Sequence, residues 1–424
     1  MEKPMFTIII PTYNHGKFIR KAIDSVISQT FPNWEMVIVN DGSTDDTQEL
    51  IENYSRIDKR IHPIHKSNGG TASAINTGLE NAQGDWICWL SSDDWYEPDK
   101  LEVHKKYIDQ NHDCEFFFSH FHMYDEFDGK TVDRDLFGPL PAREYQIPIL
   151  FYRNYIMGVG ICVSRNLWKK VGEMDIELKY AQDYDMWLKL LTISPGCFIP
   201  ERTFTYRHHS GQGSETFQLA CLFDASKSGI RYVNEHPFED FFPLLDLNDS
   251  KVAREAVNVY LEVSSDPSSY IYSLGFHPAL VFRLLEWVLA NENKNKDELL
   301  HIIKSHAWNV NRKFAGSQFG DIWKRAEKII DNYSKDGFSY ESVSHLETGV
   351  AHYIQSQTVG HPIAPSLRKY LENYESINVD TLIKSRNSNK NLSFSAFYAY
   401  FIKKIGGIMR RIFRAIRGKE DYEG

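Results

Sequence analysis

The chain has 424 residues, of which 42% are apolar, 14% are aromatic and 25% are charged. This composition excludes an intrinsically disordered protein, and the lack of any uninterrupted apolar run of about 18 residues excludes an ordinary membrane-spanning helix. The net charge of −9 disfavours general nucleic-acid binding, so we expect no nucleic-acid partner. At roughly 100–200 residues per domain, the length allows two or three domains.

Five cysteines are spread widely along the chain: Cys88, Cys114, Cys162, Cys197 and Cys221. Their spacing predicts buried thiols in a reducing compartment rather than a disulfide framework or a zinc site. The N-terminal residues lead directly into a strand-like run, without the apolar segment of a signal peptide. We therefore expect a cytoplasmic protein.

Short apolar runs alternate with amphipathic segments over the first ninety residues. Four such runs are Phe6–Ile10, Trp34–Val39, Ile61–His65 and Trp86–Leu90. Runs that are apolar along their whole length predict a parallel sheet with helices on both faces. In such sheets ligands bind beyond the carboxyl ends of the strands, which is where the polar segments of this region fall.

The remainder of the chain changes character near residue 215. Further apolar runs occur at Glu115–Tyr124, Tyr155–Val163 and Gly196–Thr205, whereas helical periodicity dominates from 216 to 392, for example at Lys251–Val263 and Lys296–Trp308. We predict an α/β domain over 1–215, an α-helical domain over 216–392 and a separate tail over 393–424.

The tail is basic and amphipathic. Residues 394–419 contain seven lysines and arginines and no acidic residue, beside apolar side chains at three- and four-residue steps. Such a helix can lie in an anionic membrane interface, and it can also dock on the acidic body or on a second subunit. We favour the membrane, which would make the protein peripheral at the inner face of the cell membrane. An oligomer is left open.

Two polar segments follow the first two predicted strands. In Pro11-Thr-Tyr13-Asn14, a tyrosine can stack on a flat ring, or it can simply belong to the core. In Asn40-Asp41-Gly-Ser, the carboxylate of Asp41 can accept hydrogen bonds from a nucleobase or a ribose, or it can cap the next helix.

Two further segments carry paired acids. Asp93 and Asp94 follow the fourth run, and such carboxylates suit a hard divalent cation that clamps a diphosphate; a turn or cap is the alternative. Asp183 stands near the start of a predicted helix, where it can serve as a general base or as an N-cap. Asp185 is two residues away and cannot share its helix face, so at most one of the two enters a site.

In their order, these motifs resemble the family-2 nucleotide-sugar glycosyltransferases. The resemblance spans about residues 4–210 and rests on PTYN, VNDGSTD, NGG followed by AxNxGxxxA, an Asp pair, and xDYDxW. It implies a GT-A-type, Rossmann-like, mostly parallel sheet, an inverting mechanism, a nucleoside-diphosphate sugar donor and a Mg or Mn ion.

The resemblance also implies roles for individual residues. Asp183 would be the catalytic base and Asp93 the main metal ligand, with His209 as a second metal or diphosphate contact unless it is a surface histidine. The donor-binding residues would be Pro11, Tyr13, Asp41, Asn68 and Asp94.

Three positions depart from the family pattern. Ser91 replaces an acid, Gln182 stands where an acid often precedes the base, and Ile75 replaces a frequent arginine. The QxxRW motif of processive synthases is also absent, which argues for transfer of one or a few sugars.

The leading hypothesis is therefore a glycosyltransferase of surface polysaccharide synthesis. Its donor would be a nucleoside-diphosphate sugar, with a UDP-sugar expected first, and its acceptor a glycan or polyprenyl-linked hydroxyl. The alternative is a catalytically degenerate protein of the same fold that binds nucleotide sugars or carbohydrates. A dehydrogenase or nucleotidyltransferase is disfavoured, because no GxGxxG or GxxxxGK[ST] loop follows a predicted strand.

Overall fold

The computed structural model describes residues 3–134, 140–152, 154–212, 218–265 and 296–313, with short pieces at 280, 283–285 and 287–288. The predicted basic tail and the helical periodicity beyond residue 313 lie outside the described residues. All described residues belong to one unit, which covers Met1–Ile354.

The N-terminal half forms the parallel sheet that the apolar runs predict. Its strands are β1 (Phe6–Thr12), β2 (Trp34–Asn40), β3 (Ile61–His65) and β4 (Trp86–Trp89), and they pair in parallel in the order β3-β2-β1-β4. The crossovers are helices α1 (Gly16–Ile27), α2 (Thr47–Ile57) and α3 (Gly70–Asn81). All seven residues of β2 are buried, as expected for a strand that is covered on both faces.

The second half corrects the prediction of a mostly parallel sheet. It contains β5 (Trp95–Tyr96), β6 (Phe116–Asp125), β7 (Lys130–Arg134), β8 (Cys162–Ser164) and β9 (Cys197–His208). The sheet continues from β4 in the order β8-β6-β9-β5, with β7 beside β6. Only β6 and β9 pair in parallel here, so the whole sheet is mixed. The apolar run Tyr155–Val163 contributes only the short strand β8, preceded by a 3-10 turn at Gly158–Gly160.

In the described part of the chain, seven further helices follow α3: α4 (Lys100–Gln110), α5 (Gln146–Tyr152), α6 (Arg165–Val171), α7 (Gln182–Ile193), α8 (Gln218–Glu235), α9 (Ser250–Ser265) and α10 (Lys296–Lys313). Helices α9 and α10 form where the periodicity predicts them. Side chains of α8 to α10, among them Tyr232, Val257 and Ile303, belong to the same apolar cluster as the sheet. None of the described helices combines the length and the apolar character needed to cross a bilayer.

The cysteines depart in part from the sequence prediction. Cys114 precedes β6 and Cys197 opens β9, and the structure joins them in a disulfide. The prediction of five free thiols is therefore wrong for this pair, because spacing along the chain does not show that the starts of two neighbouring strands meet. Cys88 and Cys162 are buried free thiols, and Cys221 is a half-buried one.

Candidate active site

The loops that leave β1 and β2 bind each other at the carboxyl edge of the sheet. Asn14 adopts a left-handed backbone with φ 53°, its N–H donates to Ser43 Oγ at 2.9 Å, and its Oδ1 accepts from Thr44 N at 2.7 Å. Asp45 accepts a bond from Gly16 N at 3.0 Å. This bonding leaves Tyr13 47% exposed beside a half-buried Pro11, so its ring is available to stack on a planar ligand.

Asp41 is buried, and both oxygens of its carboxylate accept hydrogen bonds from other residues of the chain. Lys66 Nζ lies 2.7 Å from Oδ1, Gly69 N lies 3.0 Å from both oxygens, and Gly70 N lies 2.7 Å from Oδ2. Asp41 therefore fixes the loop between β3 and α3. Asn68, in the middle of this loop, is exposed. Gly70 has a φ of +84°, a backbone that glycine adopts without strain.

Asp93 bonds to one histidine, and a second histidine bonds to the neighbouring Ser92. His209 Nε2 is 3.1 Å from Asp93 Oδ2, and His15 Nδ1 is 2.7 Å from Ser92 Oγ. Burial alone would raise the pKa of Asp93, but the bond with His209 and the charge of His15 lower it below its usual value. The structure thus brings together the two residues that the sequence analysis assigned to a metal.

Asp94 turns away from this pair and into the interior. Its Oδ1 accepts a bond from Arg207 N at 2.7 Å, and Arg207 Nε donates to the carbonyl of Asp93 at 2.9 Å. Burial and the charge of Asp93 raise the pKa of Asp94 well above its usual value. The guanidinium of Arg207 lies about 5 Å from the rings of Phe18 and Trp95, which hold it in place.

Asp183 lies in the first turn of α7. Burial raises its pKa to about 6, although a bond from Tyr184 N at 2.7 Å opposes the shift. The preceding residue, Gln182, is a neutral amide and not a second carboxylate, so burial is the main cause of the raised pKa of Asp183. As the helix spacing predicts, Asp185 points elsewhere and binds Arg231 and Ser228.

The predicted site residues therefore form three groups: Asp41 with Lys66, Asp93 with His209, and Asp183 by itself. No hydrogen bond or ion pair between described residues joins Asp183 to Asp41 or Asp93. Helix α3 links two of the groups, since Gly70 binds Asp41 and Asn76 binds the backbone of Met174, ahead of α7. Two residues of the site, His15 and Lys66, were not predicted from the sequence. The available signal was their position in the chain, directly after PTYN and shortly before NGG.

Asp93 and His209 supply one carboxylate and one imidazole. In the part of the chain that the structure describes, no group of three or more His, Cys, Asp or Glu side chains stands ready to hold a metal. Two protein ligands nevertheless fit a cation whose remaining ligands are substrate phosphates and water. An imidazole ligand suits Mn²⁺ better than Mg²⁺.

Comparisons with known proteins identify the family and the fold of this chain. The family model "Glycosyl transferase family 2" matches residues 7–165. A glycosyltransferase of Rickettsia typhi is 34% identical over 223 residues, which is 50% of this chain and 67% of that protein. TuaG of Bacillus subtilis, provisionally described as a teichuronic acid biosynthesis glycosyltransferase, is 33% identical over 192 residues, which is 45% of this chain and 73% of that protein.

The fold has a counterpart among solved structures. S. aureus TarS 1-349 in complex with UDP-GlcNAc aligns with a TM-score of 0.52 and 18% identity, over 79% of this chain and 93% of that one. This likeness concerns the fold, and it agrees with the GT-A-like α/β architecture that the sequence predicts. The family match, and an identity above 30% to relatives of which the chain covers 67% and 73%, place this chain in glycosyltransferase family 2.

Proposed function

We propose that this glycosyltransferase inverts the anomeric centre and depends on a divalent cation. It would move a sugar from a nucleoside diphosphate, with a UDP-sugar tested first, to a hydroxyl of a glycan or lipid-linked acceptor in surface polysaccharide synthesis. The description of TuaG supports the polysaccharide context, and the UDP-GlcNAc complex of TarS supports the order in which donors are tested. The proposed membrane contact through residues 393–424 lies outside the described residues.

The observation that carries the proposal is the partly buried carboxyl of Asp183, whose pKa of about 6 suits a base near neutral pH. In the proposed reaction Asp183 accepts the proton of the acceptor hydroxyl. The oxygen attacks the anomeric carbon from the face opposite the departing diphosphate, so the configuration inverts. Tyr13 would stack on the base of the nucleotide.

Asp93 and His209 would hold the cation next to the diphosphate. When bound, a divalent cation offsets the negative charge of the leaving group, an effect worth several kcal/mol. Arg207 keeps the backbone of Asp93 and the side chain of Asp94 in place through its two bonds. Asp94, held inside by Arg207, would act as a support for the cation site.

A thermal-shift screen of UDP-, GDP- and dTDP-sugars with Mn²⁺, followed by an assay of nucleotide release, tests the proposed function. We expect one donor class to raise the Tm, since a ligand at about 100 times its Kd adds roughly 2.7 kcal/mol to the free energy of unfolding. EDTA should remove both the shift and the release. A shift without any release, in the presence of lipid and glycan extracts as acceptors, would favour the degenerate binding protein instead.

The rate of sugar transfer should depend on pH through Asp183. Only the deprotonated carboxyl can act as the base, so kcat/KM is expected to fall about tenfold per pH unit below the pKa of about 6. Protonation of a carboxyl whose folded-state pKa is raised favours the folded protein, so acid unfolding through this group does not explain the fall. Rates measured from pH 4.5 to 8, with circular dichroism at each pH, check this. A flat profile down to pH 5 would contradict it.

A further inference from the structure

One arginine ties the helix that carries Asp183 to the helix that follows in the described chain. Arg231, on α8, donates from Nη1 to Asp175 Oδ2 and from Nη2 to Asp185 Oδ1, both at 2.5 Å. Asp175 lies in the segment before α7, and Asp185 lies two residues after Asp183. A single guanidinium therefore spans the stretch that contains the proposed base.

Asp185 is buried, and two cationic side chains and one hydroxyl contact its carboxylate. Besides Arg231, Ser228 Oγ donates to its Oδ1 at 2.7 Å, and Lys189 Nζ lies 2.7 Å from its Oδ2. With only 5% of its side chain exposed, this carboxylate has little access to water. Loss of Arg231 would leave this buried carboxylate with only Ser228 and Lys189, so the contact helps to fix the first turns of α7 against α8.

Two further contacts hold the same segment. Asp224, also on α8, accepts a bond from Tyr180 N at 2.9 Å. On the side of the sheet, Asn76 of α3 binds both the N–H and the carbonyl of Met174, each at 2.9 Å. The segment 174–185 is thus fixed between α3, which follows the NGG loop, and α8, which lies beyond the residues that the family model matches.

We propose that Arg231 is a positioning residue for the proposed base Asp183 and that α8 is thereby part of the catalytic apparatus. This inference rests on the proposed function. Arg231 acts through Asp175 and Asp185, because the guanidinium bridges these two carboxylates and thereby sets the position of the first turn of α7. A displacement of about 1 Å at a reacting group can cost roughly a hundredfold in rate.

The first test uses Arg231→Met and the conservative Arg231→Lys in the full chain. We expect Arg231→Met to lower kcat about 10- to 100-fold with the KM for the donor within about threefold, and Arg231→Lys to recover part of kcat. The acidic limb of the rate profile should move below pH 6, since a displaced Asp183 is better hydrated. Arg254→Met is the matched control, because Arg254 pairs with Glu298 on the surface. If folded Arg231→Met keeps the wild-type kcat, and the acidic limb of its pH–rate profile stays at the wild-type pH, the proposal is overturned.

Cys221 offers a readout that does not depend on the reaction. Burial and then the charge of Asp183 raise the pKa of this half-buried thiol to about 12, so it should react slowly with iodoacetamide. Arg231→Met should increase the alkylation rate at Cys221, measured by mass spectrometry, and Arg254→Met should leave it unchanged. An unchanged rate in folded Arg231→Met would overturn the inference.

The alkylation rate also separates this inference from the proposed function. If Asp183→Asn keeps its activity, the proposed function fails, and the Cys221 rate alone then decides whether Arg231 positions the segment. If Arg231→Met does not fold, Asp175→Asn takes its place in both measurements, because it removes only the arm of the contact that is less buried than Asp185. Wild-type behaviour of folded Asp175→Asn in both would then count against the proposal.

Discussion

Asp183→Asn is expected to lower the rate of sugar transfer about 10²- to 10⁴-fold, the usual contribution of a general base. The amide has nearly the size of the carboxyl, so the bond from Tyr184 N can persist and the first turn of α7 should keep its shape. Donor affinity should stay within about threefold, because among the described residues no hydrogen bond or ion pair joins Asp183 to Asp41 or Asp93. Steady-state rates and calorimetric titration of the donor found in the thermal-shift screen check both parts.

Glu177→Gln is the matched control for Asp183→Asn. It makes the same change of charge at an exposed position six residues earlier, and it should transfer sugar at the wild-type rate. Asp183→Glu lengthens the side chain by one methylene group and should recover only a small part of the activity, because the proton acceptor is displaced. Retention of more than about a tenth of the rate by Asp183→Asn would remove Asp183 as the base.

Asp93→Asn is expected to abolish the cation-dependent part of donor binding and to reduce transfer by about two to three orders of magnitude, the range that several kcal/mol of charge stabilisation implies. The substitution keeps the size of the side chain but removes the charge that His209 contacts at 3.1 Å. The Tm increase on adding donor with Mn²⁺ should shrink to the increase seen with EDTA. Direct titration of Mn²⁺ should show the same loss.

Asp85→Asn controls for the general loss of an acidic side chain. Asp85 is exposed next to the start of β4, at the opposite end of that strand from Asp93, and it pairs with Lys3. His209→Ala should weaken the response to Mn²⁺ less than Asp93→Asn does, since it leaves the carboxylate in place. A Mn²⁺ response of wild-type size in Asp93→Asn would show that the cation, if used, binds elsewhere.

The sequence predicts the N-terminal half of the fold well because its signals are local. Each of β1 to β4 coincides with an apolar run, and the polar segments after them reach one edge of the sheet. The mixed character of the second half could not be predicted in the same way. An apolar run such as Tyr155–Val163 does not reveal which neighbour it pairs with, and β8 pairs antiparallel with both β4 and β6.

The candidate site shows the same limit. The type and order of residues single out Asp93, Asp183 and His209, but they do not show that His209 bonds to Asp93 or that His15 lies nearby. His15 reaches Ser92 across 77 positions, and His209 reaches Asp93 across 116, so only the fold brings them together. Asp41 is the opposite case. Its carboxylate was predicted to accept hydrogen bonds from a ligand, but in the structure it accepts them from Lys66, Gly69 and Gly70.

The hydrogen bonds that Asp41 already accepts affect how a nucleotide could bind to it. A base edge or ribose hydroxyl that reaches this carboxylate would have to exchange with the Lys66 ammonium, which is the side-chain partner beside the two backbone N–H groups of Gly69 and Gly70. Such an exchange contributes only the difference between two hydrogen bonds, which is small next to the strength of either one. Under the proposed function, discrimination among nucleosides would then depend on the exposed ring of Tyr13 and on whether the released ammonium binds a phosphate, so that the affinity for the base and the affinity for the phosphates would be linked through Lys66.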